Sequence, residues 1–422
     1  MEQKIYNEYV EILKEELLPA MGCTEPIAVA YAAAVAVQAL GEKPESVEVN
    51  VSANIIKNVK SVVVPCTGGL RGIGAAVCAG IVAGCPEKEL EILEEITVEQ
   101  KVEMKKMLDT MPMTIRESDK EYIFDIQIKA CAGGHSGYVE IAGFHTNVIC
   151  VKKDDEIIRE KAYEEQGSSC ATDRSLLTVE KIIEFADCVD VADVEEVLQR
   201  QIDYNWAIAE EGMTGNWGAA IGKTLMEAYG NSVHNRAKAM AAAGSDARMN
   251  GCELPVVINS GSGNQGMTTS LPVIVYAKEL NVSKEMMLRA LVVSNLITIH
   301  MKTGIGRLSA YCGAISAGCG AGAGICYLYG GRAYEISHVI VNAVAINSGV
   351  VCDGAKASCA AKIASAVEAG LLGLQMQKNG KQFYGGDGLV EKGVENTIRN
   401  IGELAKKGMR ETDKTIIQIM TR

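Results

Sequence analysis

Four cysteines between residues 309 and 360 stand at a spacing that could bind a metal. Cys312 and Cys319 are seven positions apart, as are Cys352 and Cys359, and the sequence around both pairs is rich in glycine and alanine. Small side chains let backbones approach closely, so thiols from two such segments can converge. The pattern indicates a metal site, although buried free cysteines in tightly packed Gly/Ala helices would have the same composition.

The spacing also restricts the backbone that could carry these thiols. On one continuous helix Cys352 and Cys359 would lie roughly 10 Å apart along the axis, which is too far for one small cluster. The turn signals N-S-G and D-G on either side of Cys352 predict that it lies in a turn, with Cys359 in the first turns of a helix over about residues 354–372. Cys312 is expected at the head of its own helix, where the helix dipole favours a thiolate.

A further cysteine stands in the segment M-G-C-T-E-P-I-A at residues 21–28. Thr24 can cap a helix that has Pro26 in its first turn, which makes Cys23 the last residue before a helix N-terminus. The pKa of a thiol in that position is expected to be lowered, so that Cys23 would be partly thiolate near neutral pH. An ordinary loop cysteine is the alternative interpretation.

A polar, glycine-rich loop over residues 259–266 reads N-S-G-S-G-N-Q-G. Its backbone amides suit an anion such as an amino-acid carboxylate, and a helix expected from residue 268 onward would add its positive end. A flexible linker is the other interpretation, but it would not need Asn and Gln amides. The predicted substrate-binding residues of this loop are Ser260, Ser262, Gly263, Asn264 and Gln265.

Three basic side chains, His300, Lys302 and Arg307, stand just ahead of Cys312. They could be solvated charges or cations that line the same pocket. We therefore add them to the candidate substrate-binding residues. His135 and His145, in a turn and a strand pattern, are better interpreted as forming local hydrogen bonds than as metal ligands.

The elements that must position these residues follow from periodicity. Strands are predicted from Ser46 to Val64 and again from Tyr122 to Ile158, with a linker over residues 163–175. The remainder has helical periodicity. Helices are expected at residues 178–187, 191–211, 217–244, 268–279, 283–301, 313–330, 333–347, 354–372 and 389–408. The predicted class is α+β, with an N-terminal helical arm (1–40) that packs on the helical domain, a mixed α/β domain (41–165) and a larger, all-helical catalytic domain (166–422).

Composition limits the partners. The 422 residues are 48% hydrophobic but only 5% aromatic, and the net charge of −12 argues against nucleic acid or an anionic membrane surface. The apolar run from Pro26 to Leu40 is too short to span a bilayer comfortably, and the first residues lack an export signal pattern. A cytoplasmic protein with a small-molecule substrate is expected, and a homo-oligomer is compatible with the sequence. Cysteines in that compartment are thiols or metal ligands rather than a disulfide framework.

Taken together, the motifs M-G-C-T-E-P, S-G-S-G-N-Q-G, Y-C-G-A and C-D-G-A-K-A-S-C occur in this order. The chain resembles the L-cysteine desulfidase family, which is related to the alpha chain of iron–sulfur L-serine dehydratases. The resemblance extends through nearly the whole chain, and the joint occurrence of four motifs is more specific than any one of them.

The resemblance implies a [4Fe-4S] cluster held by three cysteines, Cys312, Cys352 and Cys359, with one iron left open. It also implies that Cys23 is the general base and that the family works without pyridoxal phosphate. The residues alone suggested four clustered thiols, so Cys319 is the point of disagreement. We follow the resemblance and treat Cys319 as a buried neighbour, two turns into its helix and too deep to reach the cluster.

The function implied by the resemblance is α,β-elimination of L-cysteine, an amino-acid substrate, to pyruvate, ammonia and hydrogen sulfide. An open iron would act as a Lewis acid on the leaving group, and it would equally activate the hydroxyl of L-serine. A dehydratase is therefore the alternative. Two more remote alternatives are a pyridoxal-phosphate lyase that uses Lys238 or Lys356, and a non-enzymatic iron–sulfur sensor, for which no basic DNA-binding patch is present.

Overall fold

A computed structural model of the chain describes residues 1–120, 122–163, 172–306 and 308–421. It contains a sheet region in the first part of the chain and a larger helical region after it, so the predicted α+β class is confirmed. Most of the predicted linker, residues 164–171, lies outside the described residues. The division into three domains remains a prediction.

The described residues of the first part of the chain form five α-helices and seven strands. In chain order these are α1 (Gln3–Glu16), β1 (Pro19–Met21), α2 (Thr24–Leu40), β2 (Ser46–Val51), α3 (Ala53–Val59), α4 (Gly72–Ala83), α5 (Val98–Thr110), β3 (Met113–Glu117), β4 (Asp125–Ala132), β5 (His135–Ala142), β6 (Val148–Lys153) and β7 (Glu156–Glu160). A short 3-10 helix, Pro86–Glu91, lies between α4 and α5.

Six of these strands form one sheet in the order β3-β2-β4-β5-β6-β7. The β2–β3 pair is parallel, and the other neighbours are antiparallel. Helix α2 lies against β5 where Gly137 has no side chain, since a Cβ there would overlap the carbonyl oxygen of Ala36. Gly80 of α4 meets Ala30 of α2 in the same way. Close backbone contact replaces the aromatic side chains that the composition lacks.

In the second part, the residues that the structure describes form eleven α-helices and one short strand. They are α6 (Val179–Cys188), α7 (Ala192–Thr214), α8 (Ile221–Tyr229), α9 (Val233–Met249), β8 (Pro255–Val257), α10 (Gly263–Glu279), α11 (Lys284–Ile305), α12 (Gly313–Leu328), α13 (Ala333–Asn347), α14 (Cys359–Lys378), α15 (Val394–Glu403) and α16 (Arg410–Thr421). A 3-10 helix, Arg174–Leu176, precedes α6, and a π-helical turn, Leu404–Gly408, follows α15. No helix within the described residues is long and apolar enough to cross a membrane.

The described elements pack into two large hydrophobic cores. One core is built from the sheet together with α2 and α4, while the other contains the helical region and also α1. Strand β1 pairs antiparallel with β8, with Pro19 opposite Val257 and Met21 opposite Pro255. This ribbon holds the segment that leads into α2 against the segment that leads into α10.

Several predicted boundaries are wrong in detail. The strand pattern holds only to Val51, because Ile55 and Val59 are four residues apart and both are buried on one face of α3. Gly230, after α8, ends the helix predicted across 217–244 and separates α8 from α9. The region expected to be all helical contains the strand β8, which exists because β1 supplies its partner.

Candidate functional site

A cavity of about 130 Å³ lies where the sheet region and the helical region meet. Its wall combines the predicted cysteines with polar and charged groups from both regions. Its cysteine, polar and charged lining residues include Cys23, Glu25, Lys57, Asn58, His145, Arg248, Ser260, Ser262, Asn264, Gln265, Lys302, Tyr311, Cys312, Cys352, Cys359 and Lys362. Segments far apart in sequence therefore contribute to one candidate site.

Backbone pairing holds Cys312 and Cys352 side by side. Tyr311 and Val351 form an isolated antiparallel bridge, in which the Cys352 amide donates to Ala310 O at 2.6 Å and the Cys312 amide donates to Val350 O at 3.2 Å. Cys312 immediately precedes α12, as the sequence predicts. Cys352 lies outside any helix, in irregular residues directly after the bridge at Val351 rather than in the turn expected there.

Cys359 is the first residue of α14, five residues later than the predicted helix start. Its Sγ lies 3.6 Å from the carbonyl oxygen of Gly354. Gly354 has a φ of +92°, and a Cβ there would overlap the backbone of Lys57 in α3. The loop between Cys352 and Cys359 can therefore lie directly on the sheet region only because residue 354 is glycine.

The three thiols are of the donor type that an iron–sulfur cluster uses, and all three line the same cavity. Each comes from a loop or a helix start that faces the cavity, while Cys319 is 1% exposed within α12 and does not line it. Burial, with Cys352 nearby, raises the pKa of the Cys312 thiol to about 12. Among the described residues no three acidic, histidine or cysteine side chains could hold one metal ion. In a cluster each cysteine binds a different iron, so this geometry is compatible with the donor set.

Cys23 lies directly before α2 and faces the same cavity. It forms a small buried cluster with Val62 and Met249, and Cys359 packs against that cluster. Its thiol donates to Glu25 Oε2 at 3.2 Å. The predicted lowering of its pKa is wrong: burial raises the pKa of Cys23 well above its usual value, and the carboxylate of Glu25 adds to the rise. The nearby guanidinium of Arg248 acts in the opposite direction.

The predicted anion loop is the start of α10, which begins at Gly263 rather than at residue 268. Asn259 and Ser262 exchange two backbone hydrogen bonds of 3.1 Å, and Ser260 in this turn has a φ of +51°. The side chains of Asn264 and Gln265 point into the cavity from the first helical turn. The Gln265 Oε1 atom is buried without a hydrogen-bond partner in the described part of the chain.

Gly263, a predicted substrate-binding residue, does not line the cavity; its missing side chain leaves room for Arg248 instead. A Cβ at this position would lie 2.5 Å from Nε of Arg248. The guanidinium of Arg248 occupies that space and donates from Nη1 to Asn264 Oδ1 at 3.1 Å.

The three basic residues ahead of Cys312 have different placements. Lys302 is buried in the cavity wall, and burial lowers its pKa to about 8. His300 does not line the cavity, since its Nε2 is 2.7 Å from Glu395 Oε2 in an ion pair between helices. Arg307 lies outside the described residues.

Sequence reasoning missed several polar residues of the wall, among them Glu25, Lys57, Asn58, His145, Arg248, Tyr311 and Lys362. Glu25 is inside the M-G-C-T-E-P motif, which is a signal that could have identified it. His145 lies between β5 and β6 and packs edge-on to Phe124 with ring centroids 4.9 Å apart. Only the tertiary fold brings His145 and Arg248 to the cavity, so no local pattern marks them.

Comparison with known proteins assigns the class of this fold and site. The family profile described as serine dehydratase alpha chain matches residues 87–418. The chain belongs to this family, which indicates a lyase-type function, and the predicted kinship with the serine dehydratase alpha chain is confirmed.

Proteins similar to this chain over its whole length bear the name UPF0597 protein. One from Desulfitobacterium hafniense is 59% identical over 99% of this chain and 97% of its own length. Another from Lachnoclostridium phytofermentans is 50% identical over 99% of this chain and all of its own length. A third, from Treponema denticola, is 43% identical over 100% and 99% of the two chains. Their names state no substrate.

Proposed function

We propose that this protein catalyses the α,β-elimination of L-cysteine to pyruvate, ammonia and hydrogen sulfide in the cytoplasm, with a [4Fe-4S] cluster and without pyridoxal phosphate. The observation that carries the proposal is one cavity that contains Cys23, the three thiols of Cys312, Cys352 and Cys359, and the polar start of α10. Membership of the serine dehydratase alpha chain family supports a lyase.

Cys312, Cys352 and Cys359 would hold the cluster. With three cysteine ligands, a bound [4Fe-4S] cluster offers one iron as a Lewis acid for the heteroatom of the leaving group. Lys302 and Lys362 line the cavity beside these thiols and favour their anionic form. The donor set and its charge environment are therefore suited to the cluster.

Cys23 takes the α-proton of the substrate as a thiolate; Arg248 favours that form, against burial and the Glu25 carboxylate, which raise the pKa of the thiol. The electron pair of the Cα–H bond forms the Cα–Cβ double bond, and the Cβ–S bond breaks with loss of hydrosulfide. The remaining 2-aminoacrylate takes up a proton to become an imine, and water hydrolyses it to pyruvate and ammonia. The substrate carboxylate binds at the start of α10, where the positive end of the helix and the guanidinium of Arg248, which donates to Asn264 Oδ1, both favour an anion.

L-Serine is the second candidate substrate, and the family supports it directly, because the matching profile is that of a serine dehydratase chain. The same base and the same cavity would eliminate water from serine. The two substrates differ in the leaving group alone, so the fold does not discriminate between them.

The lysines considered for a pyridoxal-phosphate mechanism do not line this cavity. Lys238 forms an ion pair of 2.5 Å with Glu368, and Lys356 pairs with Asp353. Neither amine faces the start of α10, where a phosphate would bind. This placement disfavours the pyridoxal-phosphate alternative, and a sensor role has no supporting feature beyond the cysteines.

The test is anaerobic purification, iron and sulfide quantitation, and assays for sulfide and pyruvate from L-cysteine and from L-serine. We expect roughly four iron atoms per chain, as one [4Fe-4S] unit requires, and sulfide and pyruvate in equal amounts from L-cysteine. Pyruvate from L-serine alone would assign the dehydratase instead. An iron-loaded protein that is inactive on both substrates would favour the sensor alternative.

A further inference from the structure

The cavity wall carries more cationic than anionic side chains, and only some of these side chains form an ion pair. Glu25 is the only carboxylate among the described residues of the wall, whereas Lys57, Arg248, Lys302 and Lys362 are cations. Lys57 pairs with Asp413 at 2.5 Å, and Lys362 pairs with Asp353. Lys302 donates to Gly306 O at 2.6 Å and lies near the metal-site thiols.

Arg248 differs from the lysines that have aspartate partners. It is 3% exposed, and its two hydrogen bonds go from Nε to Gly22 O at 2.9 Å and from Nη1 to Asn264 Oδ1 at 3.1 Å. Both acceptors are neutral, and no acidic residue in the described part of the chain pairs with it. A buried charge without a counter-ion is costly, so a guanidinium held in this way is suited to an anionic ligand. Carboxylates match the planar fork of arginine.

Glu25 is an acidic side chain that, like Arg248, has no ion-pair partner of opposite charge among the described residues. Its Oε2 accepts from the Cys23 thiol and from Thr24 Oγ1, both at 3.2 Å, and its Oε1 accepts from Asn58 Nδ2 at 3.2 Å. All three donors are neutral, and no cation in the described residues pairs with it. The carboxylate therefore lies at the cavity wall without an ion-pair partner among the described residues, where it could bind a ligand ammonium.

The two unpaired charges flank Cys23. Arg248 is anchored to the carbonyl of Gly22, the residue before Cys23, and Glu25 touches the Cys23 sulfur. An α-amino acid carries its ammonium, its carboxylate and its α-hydrogen on one carbon. Placing the two charged groups on Glu25 and Arg248 brings that carbon over the sulfur of Cys23.

We infer that Glu25 and Arg248 form a recognition pair for the zwitterion of a free α-amino acid, with the ammonium on Glu25 and the carboxylate on Arg248. The inference rests on the proposed function and deepens it, since it identifies the groups that read the substrate class. Amines without a carboxylate, and carboxylic acids without an amine, lose one of the two contacts. Peptides are poor ligands for the same reason, since a terminal residue carries only one of the two charges and an internal residue carries neither.

The experiment measures binding rather than turnover, by calorimetry on the iron-loaded full chain with L-alanine, propionate and ethylamine. L-Alanine has both charged groups and no leaving group. We expect L-alanine to bind at least tenfold more tightly than either partial ligand. Glu25→Gln should weaken L-alanine at least tenfold and leave propionate within about twofold. Arg248→Lys should weaken both L-alanine and propionate at least tenfold.

Residues that do not line the cavity provide matched controls: Glu403→Gln and Arg236→Lys should change no affinity. Equal weakening of L-alanine and propionate by Glu25→Gln, or unchanged L-alanine binding in both variants, would overturn the inference. Glu25→Gln is isosteric and the comparison is made between ligands on one protein, so the test survives if Arg248→Lys does not fold. If the ligands bind as expected but the protein turns over no substrate, the proposed elimination is refuted and the recognition pair stands. If the protein turns over L-cysteine but the ligands do not bind as expected, the recognition pair is refuted and the elimination stands.

Discussion

Tyr311 carries a hydroxyl that is buried in the cavity wall and has no hydrogen-bond partner among the described residues. Its side chain is 1% exposed, and burial raises the pKa of the phenol. An unpaired buried hydroxyl costs about 1–3 kcal/mol in proteins. A group retained at that cost beside the candidate metal-site thiols is well placed to bind the substrate.

We expect Tyr311→Phe to separate stability from activity. The free energy of unfolding should stay unchanged or rise by about 1 kcal/mol, because an unpaired polar group is removed. Turnover of L-cysteine should fall at least about tenfold, because a hydrogen bond to a charged ligand is worth about 1.5–3 kcal/mol. Thermal unfolding and steady-state kinetics measure the two effects.

Tyr9→Phe is the matched control. Its hydroxyl donates to Leu176 O at 2.8 Å far from the cavity, so its loss should lower stability and leave turnover unchanged. A Tyr311→Phe variant that is less stable but fully active would contradict the role assigned to the hydroxyl.

For single residues, the sequence predicts where a residue lies in its helix better than it predicts which groups surround the side chain. Cys23 does precede a helix and Cys312 does head one, because capping signals are local. The pKa of Cys23 is nevertheless raised, since solvent exclusion by Val62 and Met249 comes from elsewhere in the chain. The same reason explains why Arg248, in an alanine-rich helix, gave no sign of facing a site.

The two helices that begin at the metal-site cysteines cross at very short range. A Cβ on Gly318 of α12 would overlap the carbonyl oxygen of Ala366 in α14, and one on Gly370 would overlap that of Gly318. This crossing fixes the direction in which α12 and α14 leave Cys312 and Cys359. Gly318 and Gly370 therefore influence the candidate site indirectly, because they set how closely α12 and α14 pack.

Gly318→Ala should push α12 and α14 apart. We predict a loss of about 1–3 kcal/mol in the free energy of unfolding, typical of overpacking, together with less iron per chain. Denaturant unfolding and iron quantitation check both. Gly349→Ala is the control, since no atom lies within 4 Å of its Cβ position and its backbone is ordinary. Equal iron content in the two variants would show that the crossing does not position the thiols.

Asp246 ties α9 to α8 through a buried carboxylate. Its Oδ2 accepts from the Gly222 amide at 3.2 Å, its Oδ1 has no partner among the described residues, and burial raises its pKa to about 6. Because the pKa in the folded state lies above the ordinary value of 3.8 for an aspartate, the folded state binds more protons than the unfolded state between those two pH values. This group therefore contributes stability at low pH that is lost as pH rises towards about 6.

Asp246→Asn should remove that dependence. As the pH rises from 4 to 7, the native chain should lose about 1–3 kcal/mol of unfolding free energy relative to the variant. Urea unfolding at several pH values measures it. The exposed Asp203→Asn should give a constant difference, and a constant difference for Asp246→Asn would refute the shift.

At the element scale, most helices were predictable because their apolar periodicity is long, and boundaries shifted where a tertiary partner intervened. The strand β8 could not be foreseen from three residues, since β1 supplies its hydrogen bonds. The start of α10 at Gly263 depends on the turn between Asn259 and Ser262, which lengthens the helix towards the cavity.

The whole molecule forms its candidate site from two regions with separate cores. The ribbon of β1 and β8 brings Cys23 to the start of α10, and the loop at Gly354 rests on Lys57 of the sheet region. The wall of the cavity carries more cations than anions although the chain has a net charge of −12. This local excess favours thiolates and a carboxylate ligand. No composition average could reveal it, since it arises only when the regions meet.

The central claim is that Cys23 acts on a substrate beside a cluster held by Cys312, Cys352 and Cys359. The most direct test measures iron per chain and sulfide release from L-cysteine in the same preparations of Cys23→Ser, Cys352→Ser and Cys319→Ala. We predict that Cys23→Ser keeps its iron and loses activity by about 10²–10⁴-fold, the range for a general base. Cys352→Ser should lose both, and Cys319→Ala should keep both. Full activity in Cys23→Ser, or iron loss in Cys319→Ala but not in Cys352→Ser, would contradict this account.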